Sequence, residues 1–411
     1  MEEVEKGALR IGWAQSHMPV LLEVTKSMVE RRSLDGWRVG MAMHLEAKTA
    51  VLALRLRDAG AQVSLTSCNP LTTDDSVAEA LRERFGLQNF AERGQTREDY
   101  YGSLHRVLDT RPSLIVDDGG DLTYLLHTER TDVLEEVRGG SEETTTGVVR
   151  LRVMEREGKL RFPVIDVNEA RMKYLFDNRY GTGQSTLDGI MNATNLLLAG
   201  KHFTVAGYGW CGRGIALRAR GMGAHVIVTE IDPVRAVEAK LDGFEVMPMK
   251  QAARISDFIV TATGVKDVVS EEHLKVLKDG CVIANAGHFD VEISKDDLEG
   301  LSSSKKRVRE FVEEYLLDGG RRIYLLGEGR LINLVAGQGH PVEIMDTSFA
   351  LQALSVHHLM KHHGELTPKV YPVPQEIDMR VAKTKLRTMG VRIDGLTEGQ
   401  REYISSWEAG T

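Results

Sequence analysis

Apolar Val20, Leu21, Val24 and Met28 recur at helical spacing between residues 15 and 32 and predict an amphipathic helix there. The period then changes. Short apolar runs at Trp37–Met43 and Gln62–Thr66 predict strands, and Ala47–Ala59 between them predicts a helix. Helices are expected around 76–85 and 98–109, with further strands at Ser113–Val116 and Pro163–Val167. Strands alternating with helices predict a parallel sheet covered on both faces. Glu169–Phe176 reads as helical, and Thr186–Leu198 reads as a helix leading into a second alternation. Its strands fall near 203–206, 225–229, 244–247, 258–262, 281–285 and 323–326, while Ser302-Ser-Ser-Lys-Lys-Arg307 reads as a polar loop. A long helix, Val342–Lys361, is expected to pack back on the first unit, and a small helical tail ends in Tyr403-Ile-Ser-Ser-Trp407. The fold class is therefore α/β: two doubly wound parallel-sheet domains plus a small helical C-terminal tail. The expected boundaries are 1–180 plus 341–371 for a substrate domain, 181–340 for a nucleotide domain and 372–411 for a tail that serves oligomerisation.

The second alternation opens on His202-Phe-Thr-Val-Ala-Gly207-Tyr-Gly209-Trp-Cys-Gly212, a strand running into Gly-x-Gly-x-x-Gly. A helix-like segment, Ile215–Met222, follows, and the next strand, His225–Thr229, closes with Glu230. Gly207 allows the tight turn, Gly209 lets backbone approach a pyrophosphate, and Gly212 permits close packing of helix on strand. The helix N-terminus offers free N–H groups to phosphates. Glu230 stands where a carboxylate accepts hydrogen bonds from both ribose hydroxyls and repels a 2′-phosphate. This half is expected to be a Rossmann domain that binds NAD.

Bulk properties narrow the partners. With 411 residues, two or three domains are expected. A net charge of −8 without a Lys/Arg stripe argues against nucleic acid, and no apolar run approaches the length of a membrane span. Cys68, Cys211 and Cys281 lie far apart with no C-x-x-C spacing, which suits a reducing cytoplasm and gives no zinc site. The acidic start, Met1-Glu2-Glu3, does not suit a signal or transit peptide. His357, His358, His362 and His363 invite a metal reading, but a polar helix end accounts for them better, and no metal is expected.

In doubly wound sheets ligands bind beyond the carboxyl ends of the strands. Those ends carry His44, Asn69, Asp117-Asp118-Gly-Gly-Asp121 and Asn168, then Thr261-Ala-Thr263-Gly264 and Asn285-Ala-Gly-His288. A crevice between the domains would contain His44, Asp118, Glu143, Lys173, Asp177 and His288. Each has a plainer reading alone. Ser141-Glu-Glu-Thr-Thr-Thr-Gly147, a run without apolar side chains, suits a solvated loop. His288 suits a core histidine, and Lys173 a solvent-facing helix lysine. Their joint placement around one NAD site is what points to chemistry.

His44, Asp117-Asp-Gly-Gly-Asp-Leu-Thr123, Ser141–Gly147, Lys173 with Phe176-Asp-Asn178, Gly207-Tyr-Gly209, Asn285-Ala-Gly-His-Phe-Asp290 and Glu328-Gly-Arg-Leu-Ile-Asn-Leu334 with Gly-His340-Pro together resemble the S-adenosyl-L-homocysteine hydrolase family. The resemblance runs nearly end to end, in order. It implies a cytoplasmic enzyme of the methyl cycle that uses NAD without net redox on a nucleoside thioether. The ribose 3′-hydroxyl is oxidised, the thioether is eliminated, water adds, and the hydride returns. Carried over, Lys173 would deprotonate the 3′-hydroxyl, tuned by Asp177 and Asn178. Asp118 and His44 would handle protons at C4′ and C5′, Glu143 would hold the ribose hydroxyls, and His288 would serve the homocysteine and water end. Asn168 would support Lys173, and Asn333 with His340 would close on the nicotinamide and base. Thr144, Thr145, Thr146, Thr261 and Thr263 resemble NAD contacts, and Asn178 and Asn285 are grouped with the cofactor-binding residues.

Three departures qualify the resemblance. Thr182 stands where much of the family has a cysteine, so a thiol is not expected to be essential. The chain stops at Thr411 without the Lys- and Tyr-bearing tail of longer members, which weakens the inference of a homo-oligomer, tetramer or dimer. The base-reading segment is His44-Leu-Glu46-Ala-Lys48-Thr49, most similar to the short archaeal-type branch that includes S-inosyl-L-homocysteine hydrolases. Lys48 can only donate and ionised Glu46 can only accept, a pattern that suits hypoxanthine over adenine. The two are not expected to pair, because residues two apart point to different sides of a regular helix. The rival readings are a two-domain NAD-dependent dehydrogenase with net turnover and a catalytically silent NAD sensor.

Overall fold

The computed structural model describes residues 2–407, so Met1 and the last four residues of the expected tail lie outside the described residues. The chain builds β1 (Arg38–Ala42), β2 (Gln62–Thr66), β3 (Gln88–Asn89), β4 (Leu114–Asp117), β5 (Gly139–Glu142) and β6 (Val164–Asp166) first. It then builds β7 (His202–Ala206), β8 (His225–Thr229), β9 (Glu245–Val246), β10 (Phe258–Thr261), β11 (Cys281–Asn285), β12 (Ser302–Arg309), β13 (Val312–Leu317) and β14 (Arg322–Leu326). β15 (Val370–Pro372) returns to the first sheet. Among the described residues the first sheet runs β15-β6-β5-β4-β1-β2-β3 and the second β12-β13-β14-β11-β10-β7-β8-β9. All pairings of the first sheet are parallel, as are those from β14 to β9 in the second. Each sheet thus reverses its winding beside its first strand, between β1 and β4 and between β7 and β10. Those are the crevices where such sheets accept ligands.

Both sheets are buried on two faces, which is why their central strands read as unbroken apolar runs. The long helix, Val342–His362, packs against β4 and β5 as expected, and Asp346 fixes it there by accepting the Val20 and Leu21 amides at 3.1 and 2.8 Å. Burial pushes the Asp346 carboxyl up to about 6. The helix Thr182–Thr194, four residues earlier than expected at its start, packs backbone to backbone on the helix Trp210–Gly221. A Cβ on Gly183 would lie 2.6 Å from the Gly214 carbonyl, and one on Gly214 1.8 Å from that of Arg179.

Several elements depart from expectation. Ser302–Arg307 is part of strand β12, not a loop, and pairs antiparallel with β13 at the sheet edge. Its exposed cations meet acids instead of a core, Lys305 with Glu313 at 3.3 Å and Lys306 with Glu314 at 2.9 Å. Among the described residues the second sheet therefore has eight strands where six are expected. Ser141–Gly147 is not a solvated loop: β5 is buried throughout, and the helix Thr145–Arg156 follows it. β5 needs no apolar side chain because its glycines abut Leu359 and Phe162 directly. β3 and β15 extend the first sheet, and residues 15–32 belong to two helices, Glu2–Ser16 and Pro19–Glu30. The tail helix Gln375–Thr388 packs on the long helix, whereas Glu398–Ser405 buries nothing. Among the described residues no helix is long and apolar enough to cross a membrane.

Candidate active site

A cavity of about 1130 Å³ lies between the carboxyl ends of the two sheets and is lined by both. On the nucleotide side Gly207 turns with φ +94°, and a Cβ on Gly212 would lie 1.9 Å from the Gly207 carbonyl. The helix Trp210–Gly221 therefore begins directly over the end of β7, with Gly209 at its N-cap and at the cavity wall. Glu230 also lines the wall and is held by three backbone amides: Tyr208 at 2.6 Å, Ile231 at 2.7 Å and Asp232 at 3.1 Å. These features fit a dinucleotide, because glycines leave room for phosphate and the carboxylate is pre-aimed at a ribose.

Thr263 and Asn333 line the cavity, but Thr261, Asn285 and Gly212 do not. Thr261 and Asn285 lie fully buried beneath it, where the Thr261 hydroxyl donates to Asn285 Oδ1 at 3.0 Å. Asn285 Nδ2 donates to the carbonyls of Gly287, Phe289 and Gly329 at 2.9–3.0 Å, and Oδ1 accepts the Gly287 amide at 2.8 Å. In this structure Asn285 holds the turn that carries His288.

On the other side a buried polar knot surrounds Lys173. Its Nζ donates to Asn178 Oδ1 at 2.8 Å and to Asn168 Oδ1 at 3.3 Å, and stands 3.5 Å from Asp177 and 3.8 Å from Glu143. Asn168 sits behind the wall, donating to Thr145 Oγ1 at 3.0 Å. Burial disfavours charge at Lys173, but the carboxylates of Asp177, Glu143 and Asp118 outweigh it and raise the ammonium above the ordinary lysine range. Burial also acts against charge at Asp177, yet Lys173 and His340 prevail and hold it well below the usual carboxylate range. His340 Nδ1 lies 3.0 Å from Asp177 Oδ1. Glu143 goes the other way, pushed by burial up to about 8.

His44, Asp118 and His288 form a second knot, with one donor atom from each within 4.8 Å of the others. His44 follows β1 and Asp118 follows β4, so the winding reversal of the first sheet puts them together; His288 arrives from the second sheet. His44 Nδ1 meets Thr72 Oγ1 at 2.8 Å, and burial lowers the His44 imidazole to about 4. Burial likewise lowers His288, so both rings are neutral near pH 7. Gly119 is required beneath His288, since a Cβ there would lie 2.4 Å from its Nε2. Thr144, Thr145 and Thr146 line the cavity between the two knots.

Glu46, Lys48 and Thr49 line the far wall, with Lys48 and Glu46 paired at 2.9 Å, contrary to expectation. Glu46 is the N-cap, in extended conformation, so spacing rules for a regular helix do not apply to it. The pair is not solvent-facing, and Lys48 Nζ also donates to the Gln338 carbonyl at 2.9 Å across the domain gap. A thiol stands beside Thr182: Cys211 Sγ lies 3.6 Å from Thr182 Oγ1, and both line the cavity. Burial raises that thiol and keeps it protonated. Of the four histidines near 357–363, His362 pairs with Glu365 at 2.9 Å, His358 lies against His362, and His363 packs edge-on against Trp37 with ring centroids 5.2 Å apart.

Sequence reasoning missed Ser348 and Gln352 on the long helix. Ser348 donates to Asp177 Oδ2 at 2.7 Å, and Gln352 donates to Glu143 Oε2. Their signal was present as two polar residues one turn apart, with Ser355 following on the same face, in a helix that is largely apolar elsewhere.

Comparison with known proteins bears on both halves. The sequence model of S-adenosyl-L-homocysteine hydrolase matches residues 1–132, and that of the S-adenosyl-L-homocysteine hydrolase NAD binding domain matches 178–339. An adenosylhomocysteinase of Thermoplasma volcanium is 56% identical over 406 residues, covering 99% of each chain. An S-inosyl-L-homocysteine hydrolase of Methanocaldococcus jannaschii is 54% identical over 407 residues, 99% of this chain and 98% of that protein. Another, from Methanopyrus kandleri, is 57% identical over 407 residues, 99% and 96%. A crystal structure of dipicolinate synthase from Bacillus halodurans, at 14% identity and a TM-score of 0.50, covers 80% of this chain and 99% of that one. It is similar in fold alone.

Proposed function

This chain belongs to the S-adenosyl-L-homocysteine hydrolase family, with an NAD-binding domain, and from that premise we propose that it hydrolyses S-adenosyl- and S-inosyl-L-homocysteine to nucleoside and L-homocysteine, with a modest lean to the inosyl substrate. The observation that carries the proposal is the single cavity in which a dinucleotide wall faces two proton-handling knots. Bound NAD⁺ would supply a hydride acceptor at C3′ and a positive charge that favours a neutral base nearby. Lys173 takes the 3′-hydroxyl proton, while Glu143, largely protonated near pH 7, donates to or accepts from the ribose hydroxyls. The 3′-ketone acidifies C4′–H, and Asp118 accepts that proton. His44, neutral and 3.8 Å from Asp118, relays that proton from Asp118 to the departing thiolate at C5′ and ends neutral again. His288 orients the water that adds next, and Gly119 lets it sit close. Asp177 and Asn178 hold Lys173 in place through the cycle.

The domain limits 1–180 plus 341–371, 181–340 and 372–411 belong to the same proposal, as do a cytoplasmic setting and a homo-oligomer. The test is free-thiol release from both substrates by purified protein, with absorbance at 340 nm followed in parallel. Thiol release without stoichiometric NADH is expected. Net NADH accumulation during steady turnover would instead favour the dehydrogenase reading.

A further inference from the structure

Buried polar side chains on an apolar helix need partners, because each costs free energy if left alone. Along the long helix, Asp346 caps the helix Pro19–Glu30, but Ser348 and Gln352 turn toward the cavity. They lie four residues apart and so share one face. Both are fully buried, and they grip the two carboxylates that flank Lys173. Ser348 reaches Asp177 Oδ2, leaving Oδ1 to His340 and Lys173. Gln352 reaches Glu143 Oε2, leaving Oε1 buried without a hydrogen-bond partner, 3.8 Å from Lys173.

We propose that Ser348 and Gln352 are positioning residues for proton transfer at Lys173: from behind, they fix Asp177 and Glu143 so that the two carboxylates bracket the amine and the free oxygen of Glu143 is turned toward the ribose. The inference rests on the reading of Lys173 as the base. The groups facing Lys173 are Asp177, Glu143, Asp118 and Cys211, with Asn168 and Asn178 as neutral acceptors and His340 acting through Asp177. Ser348, Gln352 and His340 all come from the chain segment that has just crossed back from the second sheet, so one segment sets the whole bracket.

The two donors act on Lys173 with opposite sign. Gln352→Met removes the donor that favours ionised Glu143, which already titrates at about 8. Glu143 then stays neutral to higher pH, Lys173 loses a negative neighbour, and its proton is held less tightly. Ser348→Ala leaves Asp177 ionised, since Lys173 and His340 hold it there, but removes a dipole that offsets its charge. Lys173 then holds its proton more tightly.

The experiment is stopped-flow reduction of bound NAD on mixing holoenzyme with S-inosyl- or S-adenosyl-homocysteine, followed across pH. The acid limb should move to lower pH in Gln352→Met and to higher pH in Ser348→Ala, by about half a unit to one unit each. Ser348→Thr, which keeps the hydroxyl, should restore the wild-type limb, and melting temperatures check that Ser348→Ala, one oxygen smaller, is folded. An unmoved limb in Ser348→Ala, or a uniform loss of rate at every pH, overturns the inference. Lys173→Met run in parallel separates the two readings. If it still reduces NAD, the base assignment falls and this inference with it; if it does not while the limbs stay put, this inference falls alone.

Discussion

On the nucleotide side Glu230 is held by three backbone amides, and Glu292 by those of Thr263 and Gly264 at 2.9 and 2.7 Å together with the Thr263 hydroxyl at 2.7 Å. On the opposite side Asp118, Glu143 and Asp177 face His44, His288, His340 and Lys173, which can themselves gain or lose protons. Backbone dipoles are fixed by the fold and cannot titrate, so the first arrangement suits a cofactor that must be held unchanged from one turnover to the next. Facing side chains make each pKa depend on its neighbours, so the second suits a site where protons move. The same sheet topology supports both, which places the functional difference in what caps the strand ends.

The largest effect should come from removing the centre of the second arrangement. Lys173→Met is expected to keep NAD bound and lose about 10²–10⁴-fold in the first oxidation step. Transient NADH absorbance and the NAD content of denatured protein measure the two separately. NAD reduction at wild-type speed would break the contrast between a holding side and a reacting side.

The mirror experiment is Glu230→Gln. A glutamine cannot accept on both ends, so one of the three amides loses its partner and the ribose contact weakens. NAD should bind about 10–30-fold more weakly, by about 2 kcal/mol, with the hydride step unchanged at saturating NAD. Equilibrium dialysis against NAD is the measurement. A rate defect that saturating NAD does not repair would show that the two sides are not separable in this way.

How much of this contrast was legible beforehand follows the range of the interactions. Gly207, Gly209 and Glu230 could be placed because turn, helix start and strand end follow one another within one stretch of chain. His44 and Asp118 could be placed at strand ends, but their meeting depends on β1 and β4 being neighbours, which no local pattern states. β5 was illegible because its buried residues are two glycines, a serine and a glutamate, the glycines abutting Leu359 and Phe162 from elsewhere. β12 was illegible because ion pairs replace apolar alternation along it. Ser348 and Gln352 escaped notice because an apolar helix draws attention to its packing. The pairing of Glu46 with Lys48 was misread because a rule for helix interiors was applied to an N-cap.

A smaller effect should appear in stability. Glu143 titrates at about 8 when folded and near 4.5 as an ordinary glutamate. A raised carboxyl pKa means the folded state binds the proton more tightly, so its contribution is full below about 4.5 and is lost as pH rises towards about 8. Glu143→Gln has no such loss. In NAD-free protein its melting temperature relative to wild type should therefore climb across that window and then level off. A difference that stays flat from pH 4.5 to 8 would mean Glu143 is ionised throughout.

The smallest effect concerns the purine, where holding and reacting give way to reading. Lys48 spends one N–H on Glu46 Oε2 and one on the Gln338 carbonyl, both at 2.9 Å, which leaves a third for a ligand. Hypoxanthine presents a 6-oxo acceptor to such a donor, whereas adenine presents an amino group that would oppose it. Glu46 Oε1 accepts only from Thr49, at 3.4 Å, and so keeps capacity for the N1–H that hypoxanthine carries and adenine lacks. Relatives of nearly equal identity bear both names, so the comparisons leave the balance to this local chemistry. Because Lys48 also bridges to the segment that joins the domains, a charge reversal there would damage more than recognition. Lys48→Gln is the cleaner change, since its amide can turn to offer either a donor or an acceptor. Wild type should favour the S-inosyl substrate by up to about tenfold in kcat/KM, the scale of one mispaired buried polar group, and Lys48→Gln should bring the ratio towards one. Should wild type prefer the S-adenosyl substrate and the substitution leave the ratio where it was, Lys48 and Glu46 brace the domain gap and do not read the base.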